Sequence, residues 1–235
     1  MDEVTTTPAR TKGLVRAQDG TRIAYERYGD GPPLILVGGA PGAATAGSER
    51  ALAALLARHF TVVAYDRRAG REAREIGDLA ALVEAVREET GVTAAMHGTA
   101  SGGTLALAAV AAGVPVGRLS VYEPYEPLPV RAAVAAEGEW VSGGDERPSG
   151  GDERSSVCGR SYGVVDAGGL DRVHARVLVI DGGASPAGTR RAARTVAAAV
   201  RRGRHRTLTG QTHEVAPHVL APVLVDFHAR ELAGV

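Results

Sequence analysis

The segment HGTASGG at residues 97–103 constrains the fold more than any other part of this sequence. It follows an apolar run at residues 92–97 that predicts a β-strand, and it opens a run of small apolar residues at 102–112 that predicts a helix. Glycines stand two residues to either side of Ala100. Small residues at those positions let a strand and a helix approach each other across a tight turn. The segment therefore predicts a strand–turn–helix unit.

Apolar runs alternate with amphipathic stretches along most of the chain, a pattern typical of a parallel sheet covered by helices. Asp19-Gly20 separates two short strand patterns and predicts a β-hairpin. Predicted strands cover residues 14–17, 22–27, 34–37, 60–65, 92–97, 119–122, 177–180 and 205–208, and predicted helices cover 48–58, 75–88, 102–112, 187–200 and 217–232. The sequence therefore predicts an α/β fold.

The length of 235 residues fits one domain, so we expect residues 1–235 to form a single unit. The alternating pattern fails at residues 130–173, where SGGDER occurs at 142–147 and again at 149–154. Glycine, serine and charge in this proportion bury too little apolar surface to fold alone. We predict that 130–173 is a mobile loop or a reduced lid over the carboxyl edge of the sheet.

Charge and composition exclude several classes of function. With 27 basic and 27 acidic residues the formal net charge is zero, which argues against a nucleic-acid partner. No run approaches the roughly 20 apolar residues that span a bilayer, and the first residues lack an apolar leader. Cys158 is the one cysteine, so no disulfide framework is expected. We expect a cytoplasmic protein without a membrane partner.

A basic stretch is formed by Arg190, Arg191, Arg194, Arg201, Arg202, Arg204 and Arg206. We interpret it as a solvated helix face. The glycine-rich residues 37–42 lack the Lys-Ser/Thr of a phosphate-binding P-loop and the spacing of a dinucleotide fingerprint. No His/Cys/Asp cluster has metal-ligand spacing. We therefore expect no cofactor and no metal.

Several stretches, in order along nearly the whole chain, resemble the α/β-hydrolase superfamily, and in particular a lidded actinobacterial branch of it. They read DGTRIAYERYGDGPPLILVGGAPG, FTVVAYDRR, GTASGGTLALAA, LSVYEP, VLVIDGGASP and HRTLTGQTHEVAP. The resemblance implies the α/β-hydrolase fold, a mostly parallel sheet flanked by helices, with a shortened lid segment. It is specific for the fold and much less specific for the substrate.

The resemblance also assigns roles to residues. The turn at 97–103 matches the nucleophile elbow G-x-S-x-G, with Ala100 at the nucleophile position. Gly39 and Ala40 match the oxyanion loop, and the backbone N–H groups of Ala40 and Ser101 would donate to a developing oxyanion. His213 in GQTHEV matches the catalytic histidine.

The carboxylate partner of His213 has several candidates. Many members carry the acid after the strand that matches 177–180, but the aligned residue is Ser185. Glu123 follows the preceding strand and is the better candidate, and Asp181 is the fallback. Glu126 lies near the same strand end, where ligands of open α/β sheets bind. A carboxylate beside His213 would fix its tautomer.

A methyl group at position 100 removes the usual route through an acyl-enzyme. Two parts of the machinery would survive, a histidine base and oxyanion donors, and they suit proton abstraction beside a carbonyl, ring closure or elimination. We therefore expect an enzyme that acts on a small, largely apolar carbonyl or ester metabolite by non-covalent acid/base chemistry.

Two alternatives remain open. One is an esterase-like serine hydrolase, using Ser101 or inactivated by a serine-to-alanine replacement at position 100; the other role for Ser101 is a helix-start residue that contributes its N–H. The second alternative is a pseudoenzyme that binds a small molecule without turnover. His59, His174, His205, His218 and His228 lack a comparable motif, and we interpret them as structural or solvated. His97 ends the strand next to the turn, and the sequence leaves open whether it faces the pocket or is packed.

Overall fold

A computed structural model describes residues 10–39, 47–68, 72–125 and 167–229 of the protein. The strands are β1 Arg10–Arg16, β2 Arg22–Tyr28, β3 Pro33–Val37, β4 Thr61–Tyr65, β5 Ala95–Thr99, β6 Arg118–Tyr122, β7 Arg176–Gly182 and β8 Gly203–Leu208. The helices are α1 Gly47–Leu56, α2 Glu72–Thr90, α3 Ser101–Ala111, α4 Ala167–Leu170, α5 Ala187–Ala199 and α6 Pro217–Ala229.

The eight strands form one sheet in the order β1-β2-β4-β3-β5-β6-β7-β8. The predicted hairpin is confirmed, since β1 and β2 pair antiparallel with Arg16 opposite Arg22. β2 also pairs antiparallel with β4, whereas β4, β3, β5, β6, β7 and β8 run parallel. The predicted α/β fold, mostly parallel and flanked by helices, is therefore confirmed.

The core has two layers because alternate side chains of each strand point to opposite faces of the sheet. In β3, Ile35 and Val37 join the cluster that packs against α2, α3 and α5. Leu34 and Leu36 join the cluster that packs against α1 and α6. The strands are therefore apolar on both faces, as expected for a parallel sheet with helices on each side.

The structure corrects the predicted start of β5. The apolar run at 92–97 predicts a strand from Val92, but β5 begins at Ala95. α2 ends at Thr90, Gly91 adopts a φ of 70°, and Val92 is 51% exposed in the connecting turn. Pairing with β3 starts only where Ala95 meets Leu34, so sheet geometry, and not hydrophobicity, sets the beginning of the strand.

Part of the segment predicted as a lid or loop belongs to the core. Of residues 130–173 the structure describes 167–173, where α4 forms and where Leu170 and Val173 are fully buried. The SGGDER repeat and the remainder of the segment lie outside the described residues.

The basic stretch at residues 190–206 is divided between a helix and a strand. Arg190, Arg191 and Arg194 lie on α5, in keeping with a helix face, whereas Arg204 and Arg206 lie in β8. In the described part of the chain, no helix is both long enough and apolar enough to cross a membrane.

Two buried histidines cross-link the middle of the sheet to α6. His97 Nδ1 lies 2.8 Å from Ser120 Oγ, and Ser120 Oγ lies 2.8 Å from His228 Nε2. All three side chains are buried. Burial lowers the pKa of His97 to about 4. Burial, reinforced by the neighbouring His97 and Arg118, lowers the pKa of His228 to about 3. Both imidazoles are therefore neutral in the folded protein near pH 7.

These pKa shifts predict acid-sensitive stability. Below pH 6.5, the ordinary histidine pKa, both histidines bind a proton in the unfolded chain. In the folded chain His97 stays neutral down to about pH 4 and His228 down to about pH 3. The free energy of unfolding should thus fall as the pH drops from 6.5, by up to about 1.4 kcal/mol per pH unit for each histidine. Urea unfolding between pH 5 and 6.5 measures this slope.

Two variants make this test specific. His228→Gln should reduce the slope by about half, because one of the two excluded protons is removed. His59→Gln, at an exposed histidine, should leave the slope as in the wild type. Equal slopes for wild type and His228→Gln would contradict the assignment.

Candidate active site

The turn between β5 and α3 is held in a strained backbone conformation. Ala100 has φ 50° and ψ −121°, in a region that residues with a side chain rarely adopt. Its N–H donates to the Tyr122 carbonyl at 2.9 Å, and its carbonyl accepts from the Thr104 N–H at 3.1 Å. Such strain costs about 1–3 kcal/mol and persists only where surrounding contacts fix the backbone. The turn has the sharp strand-to-helix geometry expected of an elbow.

Two glycines make this turn sterically feasible. A Cβ on Gly98 would lie 2.6 Å from the Gly102 carbonyl oxygen. A Cβ on Gly102 would lie 2.2 Å from the Val37 carbonyl oxygen and 2.4 Å from that of Gly38. All three contacts are with backbone atoms, which cannot rotate away. Glycine therefore lets β5, α3 and the end of β3 meet at this point.

The loop after β3 reaches the apex of the turn. A Cβ on Gly39 would lie 3.5 Å from Ala100 Cβ. The N–H of Gly39 points instead to Glu49, donating to Oε1 at 3.3 Å. Burial raises the pKa of Glu49, and the bond from Gly39 opposes that rise. Ala40, the other residue matched to the oxyanion loop, lies outside the described residues.

The Ser101 side chain is buried and bound to groups other than a base. Its hydroxyl donates to the Gly39 carbonyl oxygen and accepts from Arg67 Nη1 at 3.1 Å. Arg67 also donates to the Gly38 carbonyl at 2.7 Å and to Glu75 Oε2 at 2.7 Å. As the first residue of α3, Ser101 has an N–H without an acceptor inside the helix. Its hydroxyl thus holds the loop, while its N–H is placed at the turn.

Glu123 and His213, predicted as acid and base, are in direct contact. Glu123 directly follows β6, and its side chain is fully buried, with Oε2 2.9 Å from His213 Nδ1. Oε1 accepts from the Gly182 N–H at 2.9 Å and from Ser185 Oγ at 2.6 Å. Glu123 has a φ of 45°, and its N–H donates to the Ile180 carbonyl. The carboxylate is therefore fixed by several bonds before it meets the imidazole.

This contact sets the chemistry of the imidazole. An ionised carboxylate only accepts hydrogen bonds, so Nδ1 of His213 carries the proton toward Glu123. The neutral ring then presents the lone pair of Nε2 on its other side. The His213 side chain is 53% exposed, so a molecule can reach that nitrogen. The pair can act as a general base.

The other acid candidates occupy different places. Asp181 accepts from His205 Nε2 through Oδ2, with the two atoms 2.9 Å apart. Ser185, which aligns with the acid position of many α/β hydrolases, donates its hydroxyl to Glu123. Glu126 lies outside the described residues.

Hydrogen bonds from neighbouring segments fix the loop that carries His213. Burial, with the nearby Glu123 and Asp181 charges, raises the pKa of Tyr122, so its phenol stays protonated. That phenol donates to the carbonyl of Thr212, the residue before His213. The Ala184 N–H donates to the Gln211 carbonyl at 2.9 Å. These bonds fix the backbone on which His213 stands.

The sequence pattern does not predict a role at the site for three residues near the carboxyl ends of the strands: Glu49, Arg67 and Tyr122. Arg67 and Tyr122 stand in or after predicted strands as ordinary polar or aromatic residues. Glu75, the partner of Arg67, is 2% exposed within a helix whose charges are expected outside, and the sequence pattern does not show this burial. Among the described residues, no group of three or more His, Cys, Asp or Glu side chains could hold a metal ion.

The chain belongs to the α/β-hydrolase family. It is 33% identical, over 92% of its own length, to an α/β hydrolase from Sphaerobacter thermophilus, covers 99% of that chain, and superposes with a TM-score of 0.70. Est1E from Butyrivibrio proteoclasticus is 17% identical with a TM-score of 0.71, over 94% of this chain and 99% of that one. Dienelactone hydrolase from Anabaena variabilis is 12% identical with a TM-score of 0.70, over 96% and 99%. These last two likenesses concern the fold alone.

The sequence matches no family model and no curated protein.

The glycine contacts at the turn predict a large effect of one methyl group. Gly102→Ala should lower the free energy of unfolding by about 3 kcal/mol or more, because the new Cβ would overlap two backbone carbonyls. Urea unfolding measures the change. Gly77→Ala is the matched control, since Gly77 lies in α2 with nothing within 4 Å of a new Cβ. It should stabilise the protein by about 0.5–1 kcal/mol. Similar losses in both variants would contradict the crowding at Gly102.

Proposed function

We propose that the protein is an enzyme that acts on a small, largely apolar carbonyl or ester metabolite by non-covalent acid/base chemistry. The observation that carries the proposal is the contact of His213 with the buried Glu123 carboxylate, beside a turn whose apex bears only the methyl group of Ala100. We infer that Ala100 stands where related hydrolases have a reactive serine.

His213 acts as the base. Glu123 keeps the proton on Nδ1, so that Nε2 accepts a proton from carbon or oxygen of the substrate. The negative charge that develops on the substrate carbonyl oxygen is stabilised by the Ser101 N–H and, following the family resemblance, by that of Ala40. Gly39 supports the loop through Glu49 and does not direct its own N–H to the oxyanion.

The reaction classes that need only these parts are isomerisation, cyclisation and elimination. A positioned general base contributes about 10²–10⁴-fold, and one oxyanion donor about 10²–10³-fold. None of these three reactions forms a covalent bond between protein and substrate. A shortened lid within residues 130–173 belongs to the same proposal and would govern access of the substrate.

Removal of the base tests this proposal. Against a panel of small ketones, lactones and esters, His213→Ala should lower turnover by about 10²–10⁴-fold. Glu123→Gln should lower kcat more than it raises KM, because it disturbs the imidazole and not substrate binding. His59→Ala, at an exposed histidine in the turn before β4, should retain full activity.

Two outcomes would overturn the acid/base proposal. Unchanged turnover in His213→Ala would exclude His213 as the base. Tight binding of a panel member, measured by calorimetry with the compound recovered unaltered, would indicate a ligand-binding pseudoenzyme.

A serine-hydrolase ancestry is the second candidate, favoured by the strained φ of 50° kept at Ala100. If the remaining machinery is intact, Ala100→Ser should gain esterase activity toward p-nitrophenyl acetate and react with a fluorophosphonate probe. The reaction should disappear in Ala100→Ser/His213→Ala. Mass spectrometry locates the label.

The wild type serves as the control for this gain. It should stay unlabelled, because the Ser101 hydroxyl is hydrogen-bonded to the Gly39 carbonyl and Arg67 and to no base. Labelling of the wild type at Ser101 would instead establish a serine hydrolase with a displaced nucleophile.

A further inference from the structure

Glu49 is a partly buried carboxyl group that the chemistry proposed for His213 does not use. It lies in the first turn of α1, and its Oε1 accepts from the Gly39 N–H at 3.3 Å. Gly39 in turn reaches the apex of the strained turn, since a Cβ on Gly39 would lie 3.5 Å from Ala100 Cβ. A single residue therefore connects the Glu49 carboxyl group to the apex beside which we place the substrate carbonyl.

The peptide between Gly38 and Gly39 separates Glu49 from Arg67. In a trans peptide such as this one, the C=O and N–H bonds point in opposite directions. The Gly38 carbonyl accepts from Arg67 Nη1 at 2.7 Å, whereas the Gly39 N–H donates to Glu49. The Arg67 side chain is 2% exposed, and Glu49 is partly exposed. Glu49 therefore lies on the outer side of this peptide, which a small molecule can reach.

The environment of Glu49 favours its neutral form. Within the described part of the chain Glu49 forms no ion pair. Its bond from Gly39 is longer than the usual N–H···O distance of about 2.9–3.0 Å. Burial raises the pKa of Glu49, and this effect outweighs the opposing bond from Gly39 and the charge of Arg67. A carboxyl group that keeps its proton more readily is suited to donate it.

The second carboxyl group of this edge, Glu123, is bound differently. Its Oε1 accepts from the Gly182 N–H and from Ser185 Oγ. Its Oε2 lies 2.9 Å from His213 Nδ1. An ionised carboxylate can accept all three bonds, whereas Glu49 accepts one long bond. Proteins use such a difference between two carboxyl groups to make one an acid and the other an ionised partner.

We propose that Glu49 is a further catalytic residue, the general acid that donates a proton to the substrate carbonyl oxygen while His213 removes a proton from the adjacent carbon. This inference rests on the proposed function, in which His213 is the base. It narrows the substrates to ketones and lactones that carry a hydrogen on the carbon beside the carbonyl. It also narrows the reaction to an isomerisation through an enol.

The step is balanced in protons and electrons. The C–H bond breaks, its proton moves to His213 Nε2, and its electron pair forms the C=C bond of the enol. The electron pair of the carbonyl π bond takes the proton of Glu49, which becomes a carboxylate. The enol then returns its O–H proton to Glu49, and the imidazolium delivers a proton to carbon. Delivery to a conjugated carbon gives the isomer, and delivery to the original carbon exchanges that hydrogen with solvent.

Exchange of the hydrogens beside the carbonyl for deuterium, followed by proton NMR in D2O on the full chain, tests the proposal. The probes are cyclopentanone and γ-butyrolactone, which the wild type should exchange. Glu49→Gln keeps an oxygen for the Gly39 N–H but has no acidic proton, so it should lower the rate by about 10²-fold or more. Because a general acid must be protonated, the wild-type rate should fall toward alkaline pH. This alkaline fall should be absent in Glu49→Gln and present in Glu49→Asp.

Glu88→Gln is the matched control, since it removes a carboxyl group from an exposed position on α2. It should retain both the exchange rate and the alkaline fall. A second measurement does not depend on activity: carbon-13 NMR of the side-chain carboxyl groups should show Glu49 titrating above its ordinary pKa of 4.5. The spectrum of Glu49→Gln identifies the resonance, and thermal melting verifies that each variant is folded.

Three results would overturn the role of Glu49. The first is an unchanged rate and alkaline fall in Glu49→Gln; loss of exchange in His213→Ala would then leave the proposed base in place. The second is titration of Glu49 at or below 4.5. The third is no exchange of either probe by the wild type. Conversely, slow exchange in Glu49→Gln with full exchange in His213→Ala would support the acid and contradict the proposed base.

Discussion

The close approach of β3, β5 and α3 is the constraint on which the site depends. Gly98 and Gly102 remove the side chains that would separate these elements. The backbone must then turn sharply at Ala100, at a φ of 50°. Arg67 fastens the assembly from one side by binding the Gly38 carbonyl and the Ser101 hydroxyl. Loss of any of these contacts would move the loop after β3 relative to the turn.

Contacts of Glu123 fix the backbone on the other side of the turn. Ala100 and Glu123 are the two non-glycine residues with positive φ in the described part of the chain, and both belong to this edge. The Ala100 N–H bonds to Tyr122, and the Glu123 N–H bonds to Ile180. Backbone strain persists where neighbouring contacts over-determine it. The protein thus keeps two costly backbone conformations at this edge of the sheet, although position 100 carries only a methyl group.

Local patterns predicted the fold and part of the site. Alternating runs gave the strand and helix order, and Asp19-Gly20 gave the hairpin, because both signals are local in the chain. The family resemblance predicted His213, and Glu123, 90 residues away, was the preferred of several candidate partners because it follows a neighbouring strand end. The polar links of Arg67 to Gly38, and of Tyr122 to Thr212, have no periodic signature, since each joins distant segments through a single side chain.

Charged side chains lie at both ends of β6, Arg118 at its start and Glu123 just after its end, and a neutral layer separates them. Between Arg118, the first residue of β6, and Glu123, which directly follows β6, Ser120 links the buried His97 and His228. The low pKa values of both histidines keep that layer uncharged near neutral pH. A neutral, well-packed middle lets each edge hold its own charges without an unpaired ion in the core. Acid would protonate this layer and loosen the packing toward both ends of the strand, because the folded chain excludes protons that the unfolded chain binds.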